Sequence, residues 1–290
     1  VSVNNQTMRI AIIIPAHNEE AFIAQTLQSL VDQTLKPSKV IVVSDNSTDD
    51  TAAIAGSFQD KLPLQVIEDS SSAQNVPGSK VINAFNKGLE IIDPEKYDLI
   101  CKYDADLIFP SNYLEIVVSR FRESKITGMA AGHCTILKNG QWVVENQNNP
   151  DHIRGALKAY HVDCFKQIGG LRATIGWDTI DEMLARFYGW QVVTIDNLYV
   201  KHLKPTGAAY HKKSKFLQGE AFYKMRYGYL LTAITAIKMA AKHKNATIFY
   251  HYLKGYQLAQ RKNLEPIVTP DQGRFIRKYR WNGIKKKLGF

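Results

Sequence analysis

Cysteine is scarce: the chain has three, Cys101, Cys134 and Cys164, an odd number with no Cys-x-x-Cys pair. Neither a disulfide framework nor a thiolate zinc site is therefore indicated, and a reducing, cytoplasmic setting is expected. Long apolar runs are missing too. The best candidate, Leu230 to Ala241, is interrupted by Lys238 and falls short of the ~20 residues that span a bilayer. The opening VSVNNQTMRI has no charged segment leading into an apolar one, so no secretory signal is expected. The first strand pattern begins only after Met8.

Acidic residues are the third shortage, and it is local. Residues 1–200 carry 17 Lys+Arg against 24 Asp+Glu, whereas residues 201–290 carry 20 against 3, so the net +10 divides into −7 and +17. An acidic front part repels nucleic acid and argues against it as a partner. The basic part suits phosphate groups or an anionic membrane surface, or is simply a solvated face that aids solubility. What is present in quantity is apolar residue, 45% of 290, enough for a substantial core.

Over the first hundred residues, β-branched runs alternate with amphipathic helix patterns. Arg9 to Ile14, Lys39 to Ser44, Leu64 to Glu68 and Tyr97 to Asp104 read as strands, nearly continuous in apolar character as parallel strands covered on both faces must be. The segments between them carry apolar residues at three-and-four spacing and read as crossover helices. Such doubly wound sheets bind ligands at the carboxyl ends of their strands. Beyond Asp106, SNYLEIVVSRF reads as a helix, TGMAAGHCTIL and QWVVEN as strands, and IRGALKAYHVDCFKQIGG as a helix or irregular segment. WDTIDEMLARFYG is a further helix, and QVVTI and YVKHLK are two more strands. From Ser214 the pattern is helical, around Phe216 to His243, Thr247 to Arg261 and Asp271 to Trp281.

The chemistry-bearing residues fall just after the strands. Strand one runs into Pro15-Ala16-His17-Asn18-Glu19-Glu20, whose free backbone groups suit the edge of a nucleobase, with His17 placed to stack on it. A plain strand-to-helix turn capped by Asn18 is the simpler reading. Strand two ends in Ser44-Asp45-Asn46-Ser47-Thr48-Asp49-Asp50-Thr51. Thr48 or Asp49 accounts for a helix cap, and Asp45 is left to accept hydrogen bonds from a base imide or ribose hydroxyl. Strand four ends in Asp104-Ala105-Asp106. Two carboxylates so spaced form a hard-oxygen chelate for a divalent ion whose remaining ligands are water and diphosphate oxygens. A lone Asp-x-Asp is common by chance; its position after the fourth strand is what distinguishes this one.

Taken in order, these segments, together with Gly78-Ser79-Lys80 and Asn86-Lys87-Gly88, resemble the family 2 glycosyltransferases of the GT-A fold from Arg9 to about Thr206. The resemblance implies an α/β fold: a Rossmann-like nucleotide-binding half over 8–106, an acceptor half with a mixed central sheet over 107–206, and a basic helical extension over 207–290. It also implies roles. Pro15, His17 and Glu19 would line the nucleoside pocket, Asp45 would bind the base, and Lys80 the base or diphosphate. Asp104 would lie near the ribose and sugar. Asp106 would bind the divalent metal, manganese or magnesium, and His202 resembles a histidine that some members use as a further ligand. A half-buried strand histidine is the alternative for His202.

In Trp177-Asp178-Thr179-Ile180-Asp181-Glu182 the resemblance places the general base that deprotonates the acceptor hydroxyl in an inverting transfer. Asp178 is favoured by its spacing to Gly189, with Asp181 second; Trp177 departs from the usual Glu-Asp pair. An acidic first turn favoured by the helix dipole is the competing reading. Arg154 and Trp142 are acceptor-side candidates only by position.

The implied partners are a nucleotide-sugar donor and a saccharide or lipid-linked saccharide acceptor, in cell-surface polysaccharide or glycoconjugate synthesis. The aromatic and basic helices suit a peripheral contact with the cytoplasmic membrane face, a homo-oligomer interface, or packing onto the core. A nucleotidyltransferase would need a glycine-rich loop after strand one, and none is there. A catalytically inactive nucleotide-sugar-binding or scaffold protein of the same fold is the remaining alternative.

Overall fold

The first four apolar runs form parallel strands, β1 (Ile10–Ala16), β2 (Lys39–Asp45), β3 (Leu64–Asp69) and β4 (Leu99–Tyr103). They are linked by α1 (Ile23–Val31), α2 (Thr51–Gly56) and α3 (Ser79–Glu90). The computed structural model describes residues 8–70, 79–145, 152–204, 215–287 and 289. Gly78, Asn146 and the expected boundary at 206–207 lie outside the described residues. β1 and β2 are buried throughout except at Lys39, as the unbroken apolar runs require. α3 packs tightly on them: a Cβ on Gly88 would come within 2.6 Å of Ile13 Cγ2 and 3.0 Å of Val43 Cγ2.

The remaining elements of the sheet region are β5 (Leu107–Ile108), α4 (Tyr113–Glu123), β6 (Thr127–Lys138), β7 (Gln141–Val144), β8 (Leu157–His161), α5 (Val162–Gln167), α6 (Trp177–Phe187) and β9 (Gln191–His202). The strand order is β3-β2-β1-β4-β8-β6-β9-β5, with β7 folded back on β6. β8 is antiparallel to both β4 and β6, so the sheet turns from parallel to mixed immediately beside β4.

Two segments of the sheet region differ from expectation. Residues 157–161, read as helical or irregular, are the central strand β8, and only 162–167 are helix. Lys158 interrupts the apolar run of this strand; its charge is met by carboxylates on α6, a partner that sequence pattern does not reveal. The two short strands expected at the end of the sheet are one long strand, β9. Its register against β6 jumps from Ala131↔Thr194 to His133↔Tyr199, and Asn197 takes a left-handed φ of 60° in the bulge. Gly132 faces this bulge, and a Cβ there would sit 2.3 Å from the Leu198 carbonyl oxygen.

The helical part comprises α7 (Leu217–Lys224), α8 (Tyr229–Lys242), α9 (Thr247–Arg261) and α10 (Pro270–Lys287). The stretch read as one helical segment, 216–243, is broken where Arg226 (φ 52°) and Gly228 (φ 85°) leave helical space. α10 leans on α6 through Phe275 and Phe187, whose ring centroids are 5.6 Å apart, and Gln272 donates to the Tyr188 hydroxyl at 3.3 Å. Among the described residues, no helix is long and apolar enough to cross a membrane.

Candidate active site

The carboxyl ends of β1 and β2 are stitched together side by side. His17 Nδ1 lies 2.6 Å from the Asp45 carbonyl oxygen, and the Asn18 side chain accepts from Thr48 N at 2.9 Å. Glu19 N donates to Thr51 Oγ1 at 2.8 Å, and Glu20 N to Asp49 Oδ2 at 3.1 Å. Asn18 therefore bridges two turns in a left-handed conformation (φ 54°) and does not cap α1, which starts at Ile23. Asp49 accepts from Thr51 N and Oγ1 at 3.1 and 2.5 Å at the start of α2, but the N-cap position itself is Asp50, whose side chain makes no capping bond, so neither Thr48 nor Asp49 is the cap residue expected. Pro15 is buried in β1, Asp45 is buried at the end of β2 with Asn46 donating to it at 2.6 Å, and His17 is exposed. Lys80 is half-buried in the first turn of α3, where the Ser79 hydroxyl donates to the Ala173 carbonyl at 3.1 Å.

Asp104 and Asp106 occupy the turn between β4 and β5, held by the backbone on both sides. Asp104 N donates to Ala156 O at 2.8 Å, and Thr26 of α1 joins the Ala105 carbonyl (2.7 Å) to Leu107 N (2.9 Å). β5 pairs antiparallel with β9 so that Leu107 stands opposite His202, and Leu203 N donates to Asp106 O at 2.9 Å. This pairing brings a histidine nearly a hundred residues away in sequence to 3.3 Å from Asp106 Oδ2. Asp104, Asp106 and His202 each offer a ligand atom within 4.8 Å of the others.

Two carboxylates and an imidazole are ligands that a divalent metal ion accepts. A second grouping, Cys134, Glu145 and His202, has the same proximity, but burial pushes the Cys134 thiol well above its ordinary range. It therefore stays a poor ligand. Burial opposes charge on His202, yet hydrogen bonds to Asp106 and to Glu145 (3.3 Å) raise it to about 9. In the absence of a cation the imidazole thus holds a proton between two carboxylates, the position a metal's charge would take over. Glu19 stands close enough to feel both aspartates; burial, the largest influence, raises its carboxyl even though Lys204 donates to it at 2.6 Å.

Asp178 lies in the first turn of α6, opposite His152. His152 Nε2 is 3.5 Å from Asp178 Oδ2, and its Nδ1 is 3.0 Å from Glu182 Oε1. Burial works against the charges, but the imidazole and Lys158 hold Asp178 down to about 2, while the two carboxylates bring His152 up to about 9. Asp181, one turn on, is almost fully buried: Lys158 meets its two oxygens at 2.8 and 2.9 Å, and the Tyr160 hydroxyl donates at 2.5 Å. Glu182 is buried beside it, accepting from Ile153 N at 2.9 Å.

The carboxylates at the end of β4 and those of α6 are joined through two lysines. Lys102 on β4 and Lys158 on β8 are cross-strand partners, both buried. Lys102 donates to Asp104 and, at 2.9 Å, to the Gly155 carbonyl; Lys158 donates to the Asp178 carbonyl. Their ammonium groups lie 5.3 and 5.6 Å from the Trp177 ring, within cation–π range. Gly155 makes room for this ring: a Cβ there would be 2.8 Å from Trp177 Cζ2 and 3.3 Å from Asp178 Cβ.

Sequence reasoning missed Lys102, Lys158, His152 and Glu145. A lone charge inside an apolar strand, as in LICKY, was the available signal for the two lysines. Glu145 and His152 carried none, because their partners are set by the β6–β7 hairpin and by α6. Glu145 also binds Arg154, at 3.1 and 3.2 Å, and Lys201 lies 5.3 Å from the ring of the exposed Trp142.

Comparison with known proteins points one way. The sequence profile described as "Glycosyl transferase family 2" matches residues 11–167. A probable glycosyltransferase of Bacillus subtilis, YdaM, is 36% identical over 102 residues, 34% of this chain and 23% of that protein. This chain therefore matches about a quarter of that relative's length. Among solved structures, residues 1–349 of Staphylococcus aureus TarS, in complex with UDP-GlcNAc, align with a TM-score of 0.59 at 20% identity, covering 93% of this chain and 78% of that one. The mannosyltransferase PcManGT from Pyrobaculum calidifontis, in complex with GDP-Man and Mn2+, aligns with a TM-score of 0.60 at 15% identity, covering 98% and 88%.

Proposed function

The chain belongs to glycosyl transferase family 2 and has the GT-A fold with helices appended, and from that premise we propose that it is an inverting, metal-dependent glycosyltransferase using a nucleotide-diphosphate sugar. The observation that carries this is the convergence of Asp104, Asp106 and His202 at the carboxyl edge of the parallel strands. The neighbours solved with UDP-GlcNAc and with GDP-Man and Mn2+ support the same ligand class. Pro15, His17, Glu19, Asp45 and Lys80 lie on the β1, β2 and α3 ends and are proposed to hold the nucleoside and diphosphate. Asp106 and His202, with Asp104, hold the divalent ion, which when bound neutralises charge on the departing diphosphate.

Asp178 is proposed as the group that takes the proton from the acceptor hydroxyl. Its carboxylate is only partly covered, with 28% side-chain exposure, and remains ionised. Asp181 is proposed to position α6, since its oxygens are already occupied by Lys158 and Tyr160. A saccharide or lipid-linked saccharide is the acceptor class we favour. α8 and α9 expose Leu230, Ile237 and Tyr250, and α8 and the turn after it expose Lys238, Lys242 and Lys244, a mixture suited to a peripheral contact with an anionic membrane.

The test is thermal stabilisation by UDP, GDP, dTDP and their sugars, with and without manganese, on wild type and Asp106→Ala. A ligand at a hundred times its dissociation constant stabilises by about 2.7 kcal/mol. One nucleotide should act only with metal, and the substitution should abolish the effect. No response to any nucleotide sinks the donor-site reading. Metal-dependent binding without transfer to any acceptor would instead favour the inactive scaffold.

A further inference from the structure

Over residues 201–290 the chain has only three acidic residues, Glu220, Glu265 and Asp271, and two are already engaged. Glu220 pairs with Lys224 at 2.7 Å, and Asp271 with Arg274. Three arginines nevertheless gather where α7, the turn into α8, and α10 meet. Arg226 Nε donates to Val268 O at 3.0 Å, and Arg277 Nη1 donates to Arg226 O at 2.6 Å. The Arg280 guanidinium lies 5.9 Å from the Tyr227 ring, and its buried Nε has no hydrogen-bond partner. Among the described residues, no carboxylate forms an ion pair with any of the three. Partly buried like charges without a counter-charge repel at low dielectric and call for an anion.

The backbone is shaped around this cluster. Arg226, at a left-handed φ of 52°, closes α7 with Tyr227 N donating to the Phe222 carbonyl at 3.0 Å, and Gly228 follows at 85°. Gly273 lies inside α10, where a Cβ would come within 2.7 Å of Arg226 Cβ, so the glycine admits the arginine stem. Beside them is a cavity of about 220 Å³ lined by Tyr223, Arg226, Gly228, Tyr256, Pro266 and Arg277. With a water occupying ~30 Å³ of liquid volume, the space takes a group of several heavy atoms. The guanidinium N–H groups of Arg226 and Arg277 not spent on Val268 O and Arg226 O, with two phenol hydroxyls, are donors of the kind tetrahedral oxyanions accept.

We propose that this cavity binds the phosphate group of a phosphate ester, presented either by a soluble molecule or by a lipid headgroup. The lipid source has a route: Tyr256 packs against Tyr229 at 5.7 Å, and Tyr229 and Leu230 are 46% and 62% exposed. A seated headgroup would leave its chains against that apolar surface. The site is separate from the donor site and does not rest on the catalytic reading.

The experiment uses the full chain in EDTA, so that metal-dependent nucleotide binding is idle. Inorganic phosphate and glycerol 1-phosphate are titrated against chloride at matched ionic strength, by calorimetry and thermal shift. Wild type should prefer both phosphates to chloride. Arg277→Lys keeps the charge but loses the fork, and should weaken phosphate at least about tenfold; Tyr256→Phe should weaken it less. Flotation with phosphatidylcholine vesicles, with and without phosphatidylglycerol, separates the sources. A parallel loss in Arg277→Lys identifies the headgroup; unchanged flotation with weakened phosphate identifies a soluble ester. Failure of wild type to distinguish phosphate from chloride overturns the proposal whatever the variants do, and so does an Arg277→Lys protein that binds phosphate as wild type does. The manganese-dependent nucleotide response is read in the same proteins. Its absence beside intact phosphate binding would sink the donor site and leave this one standing.

Discussion

Lys158→Met removes one ammonium from a buried cluster in which Lys158, His152 and Arg186 face Asp178, Asp181 and Glu182. Lys158 is fully buried and Asp181 and Glu182 nearly so, so the orphaned carboxylates cannot turn to water. Removing one partner of such a buried pair costs about 3–5 kcal/mol. The cost should depend on pH. Burial, the largest influence on Asp181, already raises its carboxyl above the ordinary range, and without Lys158 the folded protein will take up a proton there. The unfolded chain, with its aspartate near ~3.9, does not hold that proton at neutral pH. A folded state that binds more protons loses stability as pH rises, by up to about 1.4 kcal/mol per pH unit for one proton. Relative to wild type, the variant should therefore be mildly destabilised near about pH 5.5 and suffer the full cost near about pH 8. Urea unfolding of both proteins at the two pH values measures this. Lys158→Met with Asp181→Leu should recover much of the loss, because no orphan charge remains. A cost below about 1 kcal/mol at the higher pH, or one indifferent to pH, refutes the charge-balance argument.

Asp178→Asn should lower turnover by about 10²–10⁴ while leaving donor affinity unchanged, as expected of a general base; equal losses in donor binding would move Asp178 out of that role. His152, with a folded pKa near 9 against 6.5 unfolded, contributes stability in full below about pH 6.5 and loses it as pH rises through about 9. His152→Gln should thus be less stable than wild type near about pH 6, with the gap closing at alkaline pH, as thermal melts would show. Gly132→Ala forces a Cβ to 2.3 Å from the Leu198 carbonyl and should destabilise by about 1–3 kcal/mol or more. Because the same pair of strands carries His202, manganese-dependent nucleotide binding should weaken too. An unperturbed Gly132→Ala protein would show that β9 shifts freely.

The parallel half of the sheet was legible because its cause is local. Buried parallel strands must be largely apolar, and β1, β2 and β4 are, with Lys39 and Lys102 as the charged interruptions; the strand ends and the turns that follow must carry the polar groups, and Asp45, Asp104 and Asp106 do. The helix bearing Asp178 was equally plain from its periodicity. β8 was not, because its lysine reads as a surface residue until Asp181 and Glu182 arrive from α6 to neutralise it. Nor could sequence join β9 across its bulge, since the register is set by Gly132 and Leu198 meeting backbone to backbone.

What the sequence determined by itself is which residues could do chemistry and that they stand at strand ends or in the first turns of helices, because periodicity and burial act over a few residues at a time. What only the tertiary structure decided is who faces whom. His202 meets Asp106 through the β5–β9 pairing, His152 meets Asp178, and Lys102 joins Asp104 to Trp177. Charge pairing across a sheet depends on strand order and register, and these are fixed by the whole core at once.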